Sequence, residues 1–250
     1  ITEQMAGKEI TIRTLDLGGD KLAGALEEED VQNPFLGLRS IRFSLRNQDL
    51  FKHQLRAILR AGSDTENLKI MFPMISSIDE FMVARGVVET VIEELKEDEI
   101  PHQPNAQIGT MIEVPSTIEI IDELCTCSDF LCIGTNDLIQ YMLAVDRTNE
   151  QVADYYQPHH PAVLRALKRV VTAADRHGKD VSICGEMAHD TQYLALLIGI
   201  GFRILSLDPR YLPQVKEAIA NIDLAEAEAL AEAVLMESST KKVEALLGIA

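Results

Sequence analysis

Residues 129–147 read DFLCIGTNDLIQYMLAVDR, and the reading of this stretch decides the fold. Residues 129–135 form a short, nearly continuous apolar run, the pattern of a strand buried on both faces rather than one face-on to solvent. The run stops at Gly134-Thr135-Asn136-Asp137, a polar cluster at the strand's end. Working outward, the same pattern recurs at residues 9–16 (EITIRTLD), 68–74 (LKIMFPM), 107–113 (QIGTMIE), 180–185 (DVSICG) and 202–207 (FRILSL). The intervening segments read as helices. Leu50, Phe51, Leu55, Ile58 and Leu59 make an apolar stripe with one polar interruption, Gln54. Ser77-Ile78-Asp79-Glu80 is a capping box that opens a helix to Glu97. Further helices are expected from Pro115 to Cys125, from Pro161 to His177 and from Asp190 to Ile198. The last expected helices are residues 213–220 and two short ones within 223–250.

Strands alternating with helices imply βαβ units and an α/β fold with a parallel sheet. Six strands are counted, fewer than a closed (β/α)₈ barrel needs and within the range of a doubly wound sheet. Periodicity alone leaves the two open.

Composition narrows the function classes. The 250 residues carry 40 Asp and Glu against 23 Lys and Arg, for a net charge of -17. That field repels nucleic acid and anionic membrane surfaces, so neither is an expected partner. It attracts Mg²⁺, and an anionic substrate needs a local group of Arg. No apolar run reaches the length of a membrane span, and no signal-peptide pattern opens the chain. The four cysteines suit a reduced cytoplasm. Cys125, Cys127 and Cys132 read as core or helix residues without a zinc spacing.

The informative residues lie where strands end. Arg13-Thr14-Leu15-Asp16, Glu113, Gly134 to Asp137 and Cys184-Gly185-Glu186 fall at four strand ends, where parallel α/β folds place their active sites. Glu113 and Asp137 are the candidate metal pair, since Mg²⁺ takes one or two carboxylates and completes its shell with water and substrate oxygens. Asp137 equally suits a helix N-cap, and Glu113 an ion pair with an Arg. Arg13, Arg39, Arg42 and Arg147 are candidates for bidentate anion binding. Cys184 suits an acid, a nucleophile or a small buried residue. Gly18-Gly19-Asp20-Lys21 suits a phosphate cradle. His159-His160 marks a helix start, and His189 a surface loop.

The motifs RTLDLGGDK (13–21), NPFLGLRSIR (33–42), IMFPM (70–74), MIEVP (111–115), GTNDLIQYMLAVDR (134–147) and ICGEMA (183–188) appear in this order. Together they resemble the phosphoenolpyruvate-binding domain of Enzyme I-type phosphotransferases of the sugar phosphotransferase system and its nitrogen-related branch. The similarity runs from residue 8 to 220. The resemblance implies a (β/α)₈ barrel of which this chain encodes six strands over residues 1–221, with a helical tail of the same domain over 222–250.

It also implies phosphoenolpyruvate as substrate, pyruvate as product, Mg²⁺ as cofactor and a homodimer in the cytoplasm. Carried over by motif, Glu113 and Asp137 are the Mg²⁺ ligands. Asn136 and Asp137 hold the substrate, in part through backbone N–H groups, Arg13 and Arg147 grip the phosphate, and Lys21 assists. Arg39 lies by the bridging oxygen, and Cys184 is the proton donor to the enolate. The phosphoryl group would pass to a histidine on another domain of the full-length protein and thence to HPr or an HPr-like carrier.

Two departures stand out. A preceding strand and Arg, within a motif like GLLRTEF, have no counterpart, so the chain is expected to be a C-terminal part of a longer protein, not competent alone for complete phosphotransfer. And Ser206-Leu207-Asp208-Pro209-Arg210 replaces the family's SMSA or SMNA. The alternatives are the corresponding domain of pyruvate phosphate dikinase or phosphoenolpyruvate synthase, and a non-catalytic dimerisation or regulatory module.

Overall fold

The computed structural model describes residues 2, 4–5, 7–16 and 33–249. Lys21, the Gly18-Gly19 turn and the acidic run 27–30 lie outside the described residues. Among the described residues the fold is α/β with six parallel strands, and the chain divides into two compact units, residues 1–111 with 127–130 and residues 112–126 with 131–250.

In the first unit β1 (Ile10–Arg13), β2 (Leu68–Phe72) and most of β3 (Gln107–Ile112) pair in parallel in that order. Every residue of β2 is buried, as its unbroken apolar run predicts. The helices are α1 (Ser40–Arg46), α2 (Gln48–Ala61) and α3 (Ile78–Glu97). Phe51 of α2, Phe72 of β2 and Phe81 of α3 meet edge to face at 6.0 and 5.9 Å, which joins both helices to the sheet. The capping box of α3 forms with a shift. Ser77 Oγ accepts from the Glu80 N–H at 3.2 Å, but the Glu80 carboxylate reaches back to the N–H of Ser76, at 2.7 Å. Gly109 of β3 has no room for a side chain, because a Cβ would stand 2.5 Å from the Phe130 carbonyl oxygen.

The second unit holds α4 (Ser116–Glu119), most of α5 (Ile121–Cys127), β4 (Leu131–Gly134), α6 (Thr135–Leu143), α7 (Pro161–Arg176), β5 (Val181–Cys184), α8 (Thr191–Ile200) and β6 (Ile204–Leu205). It ends in α9 (Leu212–Ala220), α10 (Leu224–Met236) and α11 (Thr240–Leu247). β4, β5 and β6 are parallel neighbours, with Cys132 beside Ser182 and Gly134 beside Cys184. The tail packs through a glycine: a Cβ on Gly199 of α8 would lie 2.5 Å from the Ala227 carbonyl carbon of α10. Removing every side-chain atom there lets the two backbones touch.

Three local expectations change. The helix expected from Pro115 to Cys125 is two helices, because Ile120 leaves helical geometry with φ -113° and ψ 26°. The last strand shortens from 202–207 to Ile204–Leu205, since among the described residues it is paired along β5 only and is partly exposed. His160 caps α7, accepting from the Ala162 N–H at 3.2 Å, whereas His159 is buried between the Tyr193 hydroxyl at 3.0 Å and Glu244 at 3.1 Å.

Candidate functional site

In the first unit the segment after β1 is anchored at consecutive residues. The Thr14 N–H donates to the Met71 carbonyl at 3.0 Å, and the Leu15 N–H donates to Gln54 Oε1 at 3.1 Å. Gln54, the polar interruption in the stripe of α2, thus supplies the acceptor that a strand partner no longer can. The next residue, Asp16, is a hub. Its Oδ2 lies 2.8 Å from Arg13 Nη1, its Oδ1 lies 3.2 Å from Arg39 Nη2, and the Ser40 hydroxyl donates to Oδ1.

Arg39 is 5% exposed, with Phe35 under its guanidinium at 5.7 Å, while the Arg13 side chain is 43% exposed. Burial works to raise the pKa of Asp16. The Ser40 hydrogen bond and the two guanidinium groups outweigh it and hold the carboxyl below the usual range. Ser40 takes φ 52°, a left-handed conformation uncommon for serine, at the point where its hydroxyl reaches Asp16. Arg42 turns away from this group and donates to the carbonyls of Leu36 and Gly37 at 3.1 and 3.4 Å, closing its own turn.

In the second unit the ends of β4 and β5 are clamped together. The Thr135 hydroxyl donates to the Cys184 carbonyl at 2.7 Å, and the Glu186 N–H donates to Asn136 Oδ1 at 2.9 Å. Gly185 between them has φ 96°, and a Cβ would stand 2.7 Å from Asn136 Oδ1 and against Thr135 Oγ1. Only glycine fits both the conformation and the space. The Tyr156 hydroxyl donates to the Asn136 carbonyl at 3.3 Å. Burial, then the charge of Glu186, push this phenol well above its ordinary pKa, so it remains a donor at neutral pH.

Asp137, 7% exposed, does not cap α6. Gly134 occupies the cap and Asp137 lies in the first turn, among the backbone N–H groups that a helix start leaves without intrahelical acceptors. Glu113, 2% exposed, follows β3. Arg147 is exposed, and its N–H is held by Gln140 Oε1 at 3.1 Å across the left-handed Ala144 that ends α6. Cys184 is half-buried, and its Sγ is 3.7 Å from that of Cys132. Beyond the clamp, the His189 ring is half-buried rather than free in a loop, stacked at 4.1 Å on Tyr211, the residue that follows the SLDPR segment.

The second unit therefore brings Asn136 and Cys184 to one clamp, with Asp137 beside Asn136. The first brings Arg13 and Arg39 to one carboxylate. Ser40 and Tyr156 are given no role from the sequence; Asp16 and Thr135 read there only as members of strand-end clusters, and Gln54 only as a polar interruption. Among the described residues no group of three or more His, Cys, Asp or Glu shares a metal-binding position. Two buried carboxylates are nonetheless a donor set that suits Mg²⁺, a hard cation that relies on few protein ligands. No helix among the described residues is long and apolar enough to cross a membrane.

Comparison with known proteins adds the family. A model described as the PEP-binding domain of PEP-utilising enzymes matches residues 1–224. A phosphoenolpyruvate-protein phosphotransferase of Bacillus subtilis is 42% identical over 99% of this chain and 43% of its own length. A multiphosphoryl transfer protein of Escherichia coli is 42% identical over 96% of the chain and 29% of its own length. The chain thus spans less than half the length of these relatives. A citrate lyase structure from Burkholderia xenovorans has a TM-score of 0.56 at 18% identity, covering 99% of this chain and 84% of its own, a likeness of fold alone.

Proposed function

The chain belongs to the PEP-utilising enzymes, through their PEP-binding domain, and from that premise we propose that it binds phosphoenolpyruvate and supplies the chemistry by which an Enzyme I-type phosphotransferase releases pyruvate. The observation that carries this reading is the clamp between β4 and β5, which holds Asn136 and Cys184 on neighbouring strand ends. The names of relatives at 42% identity favour the phosphotransferase branch over the dikinase or synthase alternative.

Phosphoryl transfer asks a protein mainly for positioning and charge neutralisation. In the first unit Arg13 and Arg39 carry that charge, Arg13 toward the phosphate and Arg39 toward the bridging oxygen where enolate charge grows. In the second unit Asn136 and the first-turn N–H groups of α6 orient the substrate, and Arg147 adds a guanidinium for the phosphate. Lys21, outside the described residues, is assigned an assisting role at the phosphate. Glu113 and Asp137 would hold Mg²⁺, which when bound neutralises phosphoryl oxygens. Once the bond between phosphorus and the bridging oxygen breaks, the enolate needs a proton at its methylene carbon. The Cys184 thiol supplies it.

The acceptor in this reading is a histidine on a domain outside residues 1–250, with an HPr-like carrier beyond it. Residues 1–221 act as the barrel part and 222–250 as its helical tail, in a cytoplasmic homodimer. Titration calorimetry of this chain with phosphoenolpyruvate tests the core of the proposal. Binding heat that requires Mg²⁺, and that weakens about 10-fold in Arg147→Ala, is expected. No heat at millimolar ligand with Mg²⁺ present overturns it in favour of a non-catalytic module. Cys184→Ala in the longer protein is expected to leave binding intact and slow pyruvate formation.

A further inference from the structure

We propose that Cys132 and Cys184 form an oxidisable dithiol, a covalent modification site at which a hydroperoxide converts the two thiols into a disulfide across β4 and β5. The register pairs Cys132 with Ser182 and Gly134 with Cys184. Side chains two apart on a strand share a face, so Cys132 and Cys184 project from the same side as diagonal neighbours. Their sulfurs are already in contact at 3.7 Å, although 52 residues separate them in the chain. A disulfide needs about 2.0 Å, so the sulfurs must close by about 1.7 Å. Closing that gap requires rotation about χ1 of Cys184, the last residue of β5, together with movement of the backbone at that strand end.

The two thiols differ in access, and this orders the steps. Cys184 is half-buried and reachable by a small oxidant, whereas Cys132 is 2% exposed. The Cys184 thiolate attacks the peroxide and breaks its O–O bond. Cys184 becomes the sulfenic acid, and the peroxide leaves as alcohol, or as water from hydrogen peroxide. The Cys132 sulfur then attacks the Cys184 sulfur, the S–S bond forms, and the sulfenic oxygen leaves with the thiol proton as water. In all, two thiols lose two electrons and two protons, and one peroxide is reduced. Cys125 and Cys127 belong to a different segment, α5. If Cys184 is the proton donor proposed above, the disulfide also removes that donor; this consequence rests on that reading, whereas the dithiol does not.

The experiment treats the 250-residue chain with stoichiometric hydrogen peroxide and maps peptides by mass spectrometry without reduction. The expected product is a linked Cys132–Cys184 peptide, two hydrogens lighter than the separate pair. Two of the four thiols should be lost and should return with a dithiol reductant. In Cys132→Ser and Cys132→Ala the resolving thiol is gone, and with a second equivalent of peroxide Cys184 is expected to proceed through the sulfenic to the sulfinic acid, which the reductant does not reverse. The proposal is overturned if wild-type Cys184 reaches sulfinic acid with no linked peptide, if the link joins Cys184 to Cys125 or Cys127, or if the Cys132 variants lose two thiols reversibly as wild type does. These masses are read without phosphoenolpyruvate, so their failure and the failure of the proposed function are separate results.

Discussion

After β1, the side chains of Arg13, Arg39 and Ser40 are gathered by one carboxylate, Asp16, whereas after β4 the groups of Thr135, Asn136 and Cys184 are held by neutral hydrogen bonds packed around a glycine. The first cluster depends on charge and is therefore sensitive to pH. The second depends on shape and on donors that stay neutral, so it is indifferent to pH over a wide range. A charge hub can be rearranged when an anion arrives, because a phosphate or carboxylate can take the place of Asp16 at a guanidinium. The neutral clamp has no such exchange available and keeps its geometry.

Removing the hub should cost most. Asp16→Ala leaves the buried Arg39 without its carboxylate, and a loss of about 3 kcal/mol in urea unfolding at neutral pH is expected. The folded-state pKa of Asp16 is lowered, so its stabilisation is complete above the unfolded value near about 4 and disappears as pH falls through the lower folded value. The gap between wild type and Asp16→Ala should therefore be flat above that point and close below it. A gap that widened in acid would contradict the charge account.

Gly185→Ala attacks the shape of the clamp, forcing a side chain into a φ of 96° and against Asn136. About 2 kcal/mol of destabilisation is expected, equal at pH 5 and pH 8 within error; these pH values are roughly chosen to lie between carboxylate and phenol titration. Tyr156→Phe removes one hydrogen bond to the Asn136 carbonyl, and about 1 kcal/mol is expected, measured in the same way. Arg147→Ala changes an exposed side chain, so stability should stay within about 0.5 kcal/mol while ligand binding weakens. A large loss of stability there would show that Arg147 belongs to the scaffold and not to the binding groups.

Much of the architecture was legible because it is written in local patterns. Unbroken apolar runs located β2, β3 and β4, and the capping box at Ser77 located the start of α3. Failures came where a local pattern competes with its surroundings. Residues 202–207 are as apolar as the other runs, but a strand forms only as far as a neighbour pairs with it. Asp137 has the chemistry of a cap, yet the turn at Gly134 starts the helix three residues earlier.

By itself the sequence determined the α/β class, the helix starts and the residue types at the strand ends, because each is governed by interactions within a few residues: side-chain period, capping and turn preference. Only the tertiary structure decided that Asp16 meets Arg39 across 23 residues, that Gln54 holds Leu15 across 39, and that Cys132 lies against Cys184 across 52. Those pairings follow from strand register and helix packing, which sum many weak long-range contacts and leave no mark at any single position in the chain.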